Sequence, residues 1–238
     1  MLALVDINDP LLWAIFIGWV LSVVLHEFAH GIVAYWGGDY TIRERGGLTL
    51  NPLQYIDPVM SLVLPAVVFL VGGVPLPGGV TYIRRDLIRS RAWNVAASAA
   101  GPAMNFLIFL LLCLPFHPKI GLIDPPSQGG MISTALLFTG AMVWLQMLSV
   151  LFNLVPVPPL DGFQIISQYM DEDTRLRLTL PPLGNMLFFA YFAVLWYVPH
   201  VFQWFHRVVE ATLRGLGFDE RAIDFFGNSF NQALFGKS

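Results

Sequence analysis

His26, Glu27 and His30 stand as His-Glu-x-x-His within VVLHEFAHGIVAYW, residues 23–36. On an α-helix, side chains at i and i+4 lie one above the other on one face. Two imidazoles at that spacing can grip one zinc ion, and the glutamate between them can act as a general base. The flanks are apolar: Val23, Val24 and Leu25 precede the motif, and Gly31, Ile32, Val33 and Ala34 follow it. An ionisable residue in a membrane helix costs at least about 2.5 kcal/mol on insertion scales and by default marks a functional site. The same pattern also arises by chance on soluble helices, where the three side chains face water. The apolar flanks argue against that reading here and for a metal.

A catalytic zinc takes three protein ligands and keeps a fourth position for water. Asp161, in NLVPVPPLDG, is the leading candidate for the third. It follows an apolar helix. Pro156, Pro158 and Pro159 break regular helix there, because each removes a donor and clashes with the preceding turn. Irregular backbone at membrane depth is tolerated only where protein or a water-filled cavity surrounds it. Pro-Leu-Asp-Gly is equally ordinary turn chemistry, and spacing alone leaves both readings open. Asp57 competes, but it precedes Pro58 and suits a turn. His117, His200 and His206 fall at helix ends, where interfacial histidines need no metal to explain them.

The elements that must position these groups belong to a membrane protein. The chain has 238 residues, 56% hydrophobic and 12% charged, with mean hydropathy +0.65. That is half the roughly 25% charged residues of soluble domains. The net charge of -3 is mild and there is no basic block, which excludes a nucleic-acid surface. Cys113, the single cysteine, cannot form an intramolecular disulfide, so the redox compartment stays open. MLALVDINDP is acidic where a signal peptide would be basic, and no small-residue cleavage site follows; the first apolar segment is expected to be a retained helix.

Apolar segments fall near 11–36, 58–76, 92–115, 131–155 and 183–205. All but the second reach the roughly 20 residues a spanning helix needs. The second is short, broken by Pro65, and ends in Gly72, Gly73, Pro75 and Pro77. Thr41, Ile42, Leu48, Thr49 and Leu50 flank Gly46-Gly47 and read as a short β-hairpin, whose edge could hold an unwound substrate strand. The expectation is an all-α polytopic membrane protein with about four to five transmembrane helices, a re-entrant element and a small membrane-associated β-hairpin. Residues 1–205 form one domain. Residues 206–238 form a polar tail, in which Ala222, Phe226, Phe230 and Leu234 recur every fourth residue as in an amphipathic helix.

HEFAH, NPLQYIDP, AGPAMN and NLVPVPPLDG, in this order, resemble the site-2 protease family of intramembrane zinc metalloproteases. The resemblance runs from about residue 20 to 170. HExxH alone is a moderate signal; followed by GPxxN and NxxPxxPLDG in later membrane segments it is highly specific. The resemblance implies Zn2+ held by His26, His30 and Asp161, with Glu27 as catalytic base. It implies that Asn105, of GPAMN, and Asn153, before the proline run, contact substrate or support the site; bonding between helices is the plainer role for both. It implies a transmembrane protein as substrate, cut in or near its membrane segment, with the lipid bilayer as the working environment. No PDZ or CBS domain lies in the sequence, so a regulatory membrane partner or prior trimming is expected to control access. A membrane zinc carrier or sensor, or an inactive helix-binding scaffold, are the rival functions; Glu27→Gln separates them from a protease.

Zinc bonds are about 2.0–2.2 Å long, so Asp161 must reach the depth of His26 and His30. If segments one to four all crossed the membrane, the ends of the first and fourth would face opposite sides. If 58–76 enters and leaves on one side, those ends meet. With four crossings, seven basic residues fall on one side and six on the other. With a re-entrant 58–76, eight gather on the side of Arg43, Arg84 and Arg175, against five opposite, four of them in the tail. Basic residues in short loops favour the cytoplasm. The expected location is the plasma membrane of a prokaryotic cell, with the active site toward the cytoplasm.

Overall fold

The computed structural model describes residues 9–63, 65–66, 76, 78–126 and 132–235. Among these residues there are nine α-helices of four or more residues. They are α1 (Pro10–Gly37), α2 (Thr41–Glu44), α3 (Arg91–Cys113), α4 (Thr134–Asn153), α5 (Asp161–Ile166), α6 (Glu172–Thr179), α7 (Leu183–Tyr197), α8 (Pro199–Gly215) and α9 (Glu220–Phe235).

Among the described residues three helices are long and apolar enough to cross a membrane: α1, α3 with its continuation to Phe116, and α4. Each begins at a side-chain cap that supplies an acceptor to an otherwise orphaned N–H. Asp9 accepts from Leu11 N at 2.8 Å, Ser90 from Trp93 N at 3.3 Å, and Ser133 from Leu136 N at 3.3 Å. Helix α1 ends at Gly38, whose φ of 122° suits glycine.

The three spans pack on one another, and their directions follow from which residues meet. His26 meets Asn105 and His30 meets Ala97, so α1 and α3 are antiparallel. Gly18 lies against Phe138 and Met142, and Ser22 meets Gln146, so α1 and α4 are parallel. The C-terminal ends of α1 and α4 therefore lie on the same side, as the closure of a His26–His30–Asp161 cluster requires. The chain leaving α1 also returns to its own level. Gly78 N donates to Met60 O at 3.0 Å, Ser61 Oγ to Gly78 O at 2.6 Å, and Val80 N to Tyr55 O at 3.0 Å. Much of the stretch 58–76, and with it the expected re-entrant element, lies outside the described residues.

The expected β-hairpin over 41–50 does not form, and no strand occurs among the described residues. Thr41–Glu44 is one helical turn followed by further turns. The reason is the fully buried carboxylate of Asp39. It accepts from Thr41 Oγ1 at 2.5 Å, from Arg45 Nη2 at 3.1 Å and from the backbone N–H of Arg84 at 2.7 Å, and so curls the chain around itself. Ile42 is then buried beside Ala34, Ile88 and Ala97. The β-branched character of Thr41 and Ile42 is overridden by this packing. The edge that would have held a substrate strand is absent with it.

The apolar run 183–205 is not one crossing either. It splits at Val198–Pro199 into α7 and α8, because Pro199 has no N–H to continue α7. Helix α7, at 15 residues, spans only about 22 Å. Among the described residues a fourth candidate span exists only if α6 and Leu183–Leu195, bent by 60°, are counted together. Helix α8 runs through residues 205 and 206 without a break. Helix α9 buries Ala222, Phe226 and Phe230 in the main core with Phe109, Val143 and Trp144.

Candidate metal centre

One face of α1 carries Ser22, His26 and His30, and it is turned toward α3. His30 Nδ1 lies 2.6 Å from Ala97 O. A carbonyl can only accept, so Nδ1 holds the proton and Nε2 is left as a lone pair. His26 Nδ1 is in hydrogen-bond contact with Asn105 Oδ1, with the same consequence. Fixing the ring tautomer through the other nitrogen is how outer partners prepare histidine to bind a metal.

Asp161 reaches the pair from the start of α5. The proline run before it breaks the helix, and the chain folds back tightly against the end of α4. A Cβ on Gly162 would strike the carbonyls of Leu154 and Val155, so the glycine of Leu-Asp-Gly is needed for that approach. His26 Nε2 and His30 Nε2 are 3.0 Å apart, and Asp161 Oδ2 and Oδ1 lie 3.2 Å from them respectively. Among the described residues this is the one group of three such side chains that could hold a metal ion.

The residues fit zinc on three counts. Two neutral imidazoles and a carboxylate are a catalytic zinc donor set. Ligand atoms at zinc bond lengths in a tetrahedron stand about 3.4 Å apart, close to the separations found. The floor of the site is Gly101: a Cβ there would collide with Nε2 of both histidines and come within 2.6 Å of His26 Cδ2. Only glycine leaves that space open.

Glu27 is buried, at 6% exposure. It lines a cavity of about 270 Å³ together with the three candidate ligands, Asn153 and Arg85. The chain at 79–81 wraps its back: Thr81 Oγ1 donates to Glu27 O at 3.0 Å, and a Cβ on Gly79 would lie 3.0 Å from Glu27 Cγ.

The two asparagines part company. Asn153 lines the cavity, and its Nδ2 donates to Ser149 O at 3.0 Å. Asn105 is 2% exposed and spends its amide on His26, Ser22, Gln146 and Ser149, within the helix bundle. Asp57 is not with the cluster. It caps the next turn, accepting from Val59 N and Met60 N, each at 2.9 Å, and from Tyr82 Oη at 2.7 Å. Burial pushes its carboxyl up, but these three bonds outweigh that and hold it below the usual carboxylate range. His117 bonds Leu216 O and His206 accepts from Trp144 Nε1, each at 3.0 Å.

Sequence reasoning missed Arg85, whose Nη1 donates to Ser98 Oγ at 3.0 Å at the cavity wall. No motif points to it. It also missed Ser22, Gln146 and Ser149. Their signal is in the sequence: polar side chains in the middle of runs that must cross a membrane.

Comparison with known proteins agrees with this geometry. "Putative zinc metalloprotease Rip2" of Mycolicibacterium smegmatis is 33% identical over 196 residues, covering 81% of this chain and 70% of the relative. The protein of the same name from Mycobacterium tuberculosis (H37Rv) is 32% identical over 194 residues, with the same coverage. "Putative zinc metalloprotease YwhC" of Bacillus subtilis is 33% identical over 166 residues, covering 67% of this chain and 70% of the relative. No family model matches the chain, and no solved structure matches it. A third of the residues identical over most of both chains is common descent, and the chain belongs to the site-2 protease family of zinc metalloproteases.

Proposed function

We propose that this protein is a zinc-dependent endopeptidase that hydrolyses a peptide bond in or next to a transmembrane segment of another membrane protein. One observation carries the reading: two histidines of a spanning helix and Asp161 converge to 3.0–3.2 Å, with Glu27 of the same helix lining their cavity. His26, His30 and Asp161 would hold the ion. Bound there, zinc supplies Lewis acidity toward a water and toward the scissile carbonyl. Glu27 takes the proton of the attacking water and returns it to the leaving amine. Asn153, on the cavity wall, would offer its side-chain amide to the substrate backbone. A transmembrane helix hides its carbonyls in its own hydrogen bonds, so the substrate must unwind locally before it can enter. The substrate is a membrane-spanning protein, delivered after trimming or by a membrane partner.

The test is cleavage of a single-span model protein by the purified chain in lipid vesicles. A chelator should abolish cleavage and one equivalent of zinc should restore it; cleavage indifferent to chelation would sink the zinc reading.

The reading extends to topology. The chain on either side of 58–76 returns to one level, where Gly78 N meets Met60 O, and α1 and α4 run parallel, so their C-terminal ends share one side. The cavity then opens on the side where Arg43, Arg45, Arg84, Arg85, Arg89, Arg91, Arg175 and Arg177 gather, the cytoplasmic side of the plasma membrane. Single cysteines introduced at 84–91 should be shielded from an impermeant thiol reagent added outside intact cells. Labelling from outside would reverse this orientation.

A further inference from the structure

Gln146 is fully buried in the middle of α4, a helix long and apolar enough to span a membrane. An amide there requires a reason, because a polar side chain inside a spanning helix is costly and marks function or a bond between helices. Its oxygen has one. Gln146 Oε1 accepts from Asn105 Nδ2 at 2.7 Å and from Ser22 Oγ at 2.8 Å. Its nitrogen has none: Gln146 Nε2 is buried without a partner among the described residues. The amide is thus held with its oxygen inward although its own N–H groups go unmet.

What that orientation fixes lies one bond further on. With Asn105 Nδ2 drawn to Gln146 Oε1, Ser22 Oγ at 3.1 Å and Ser149 Oγ at 3.3 Å, Asn105 must present Oδ1 to His26. Oδ1 can only accept, so the His26 proton sits on Nδ1 and the lone pair on Nε2, the atom facing His30 and Asp161. Turning Gln146 over would satisfy its nitrogen. It would also turn Asn105, which would then donate to His26 Nδ1 and move the ring proton to Nε2. That tautomer offers the metal no lone pair. The two amides therefore form a relay with two self-consistent settings, of which the one observed is competent for metal.

We infer that Gln146 is a positioning residue of the metal centre, acting through Asn105 to hold His26 in the tautomer that binds the ion. This rests on the reading of His26, His30 and Asp161 as metal ligands. Ser22 supports the same setting by donating to Gln146 Oε1 and accepting from Asn105.

The test uses the full chain in detergent with zinc as the probe. Gln146→Leu, close in shape and apolar, removes the inward acceptor; Gln146→Glu keeps one in either protonation state. Outer partners of metal-bound histidines change affinity about 10–100-fold when removed, so Gln146→Leu should weaken zinc binding about tenfold and Gln146→Glu should restore it. The second readout is the nitrogen-15 spectrum of the metal-free protein, which reports the protonated ring nitrogen. With five histidines in the chain, His26 can be assigned by substitution. Wild type should show a proton on His26 Nδ1, Gln146→Leu a mixture, Gln146→Glu the wild-type pattern. A general packing defect would lower the melting temperature without exchanging ring nitrogens, and glutamate would not rescue it. Unchanged affinity and tautomer in Gln146→Leu, beside a wild type that binds zinc, would overturn the inference alone. A wild type that binds no zinc would overturn the metal reading, and this inference with it.

Discussion

Glu27→Gln will lower the rate of substrate cleavage about 10³-fold while leaving zinc content at the wild-type level. A positioned general base contributes about 10²–10⁴-fold, and glutamine keeps the shape of glutamate while removing its basicity. Glu27 is not one of the three converging ligands, so the metal has no cause to leave. Its backbone carbonyl still accepts from Thr81, and its Cγ still fills the space under Gly79, so the fold should persist. Single-turnover cleavage in vesicles and zinc analysis of the same preparation measure both halves. Lost cleavage with retained zinc supports peptidase chemistry over a carrier, a sensor or a scaffold. Full activity in Glu27→Gln would remove Glu27 from the mechanism.

Asp161→Ala will strip the metal. Wild type is expected to carry about one zinc per chain, and the variant to bind it more than about 100-fold more weakly, above the range typical for outer partners alone. Both carboxylate oxygens face histidine nitrogens at 3.2 Å, so alanine removes the only anionic donor of the set. It also leaves α5 and Gly162 in place to hold the loop. His26→Ala should lose zinc to a similar degree. Metal analysis with helix content from circular dichroism checks this. Zinc retained without Asp161 would mean another third ligand, and the closure of the α1 and α4 ends would lose its chemical reason.

Much of the candidate site could be read along the chain because its constraints are local. His26 and His30 share a face through helical periodicity alone. The proline run before Asp161 forbids helix by covalent geometry alone. The end of α7 at Pro199 follows the same rule, though the apolar run around it reads as continuous. The hairpin failed for the opposite reason. Thr41, Ile42 and two glycines suit a strand pair, but Asp39 is buried by contacts with Arg84, 45 residues further on, and no local pattern registers that.

The sequence by itself determined that α1, α3 and α4 are long and apolar enough to cross a membrane, and that His26 and His30 share one helix face; it left Asp161 open on spacing and read 183–205 as one segment. These depend on composition and on spacing within single elements. Only the tertiary structure decided that α1 and α4 run parallel and that Gly101 forms the floor between the histidines. It likewise decided that Asn105 serves His26 within the bundle while Asn153 lines the cavity, and that Arg85 and Gln146 belong to the site. Each is a contact between residues far apart in sequence, set by how whole helices pack, and packing is a property no single element carries.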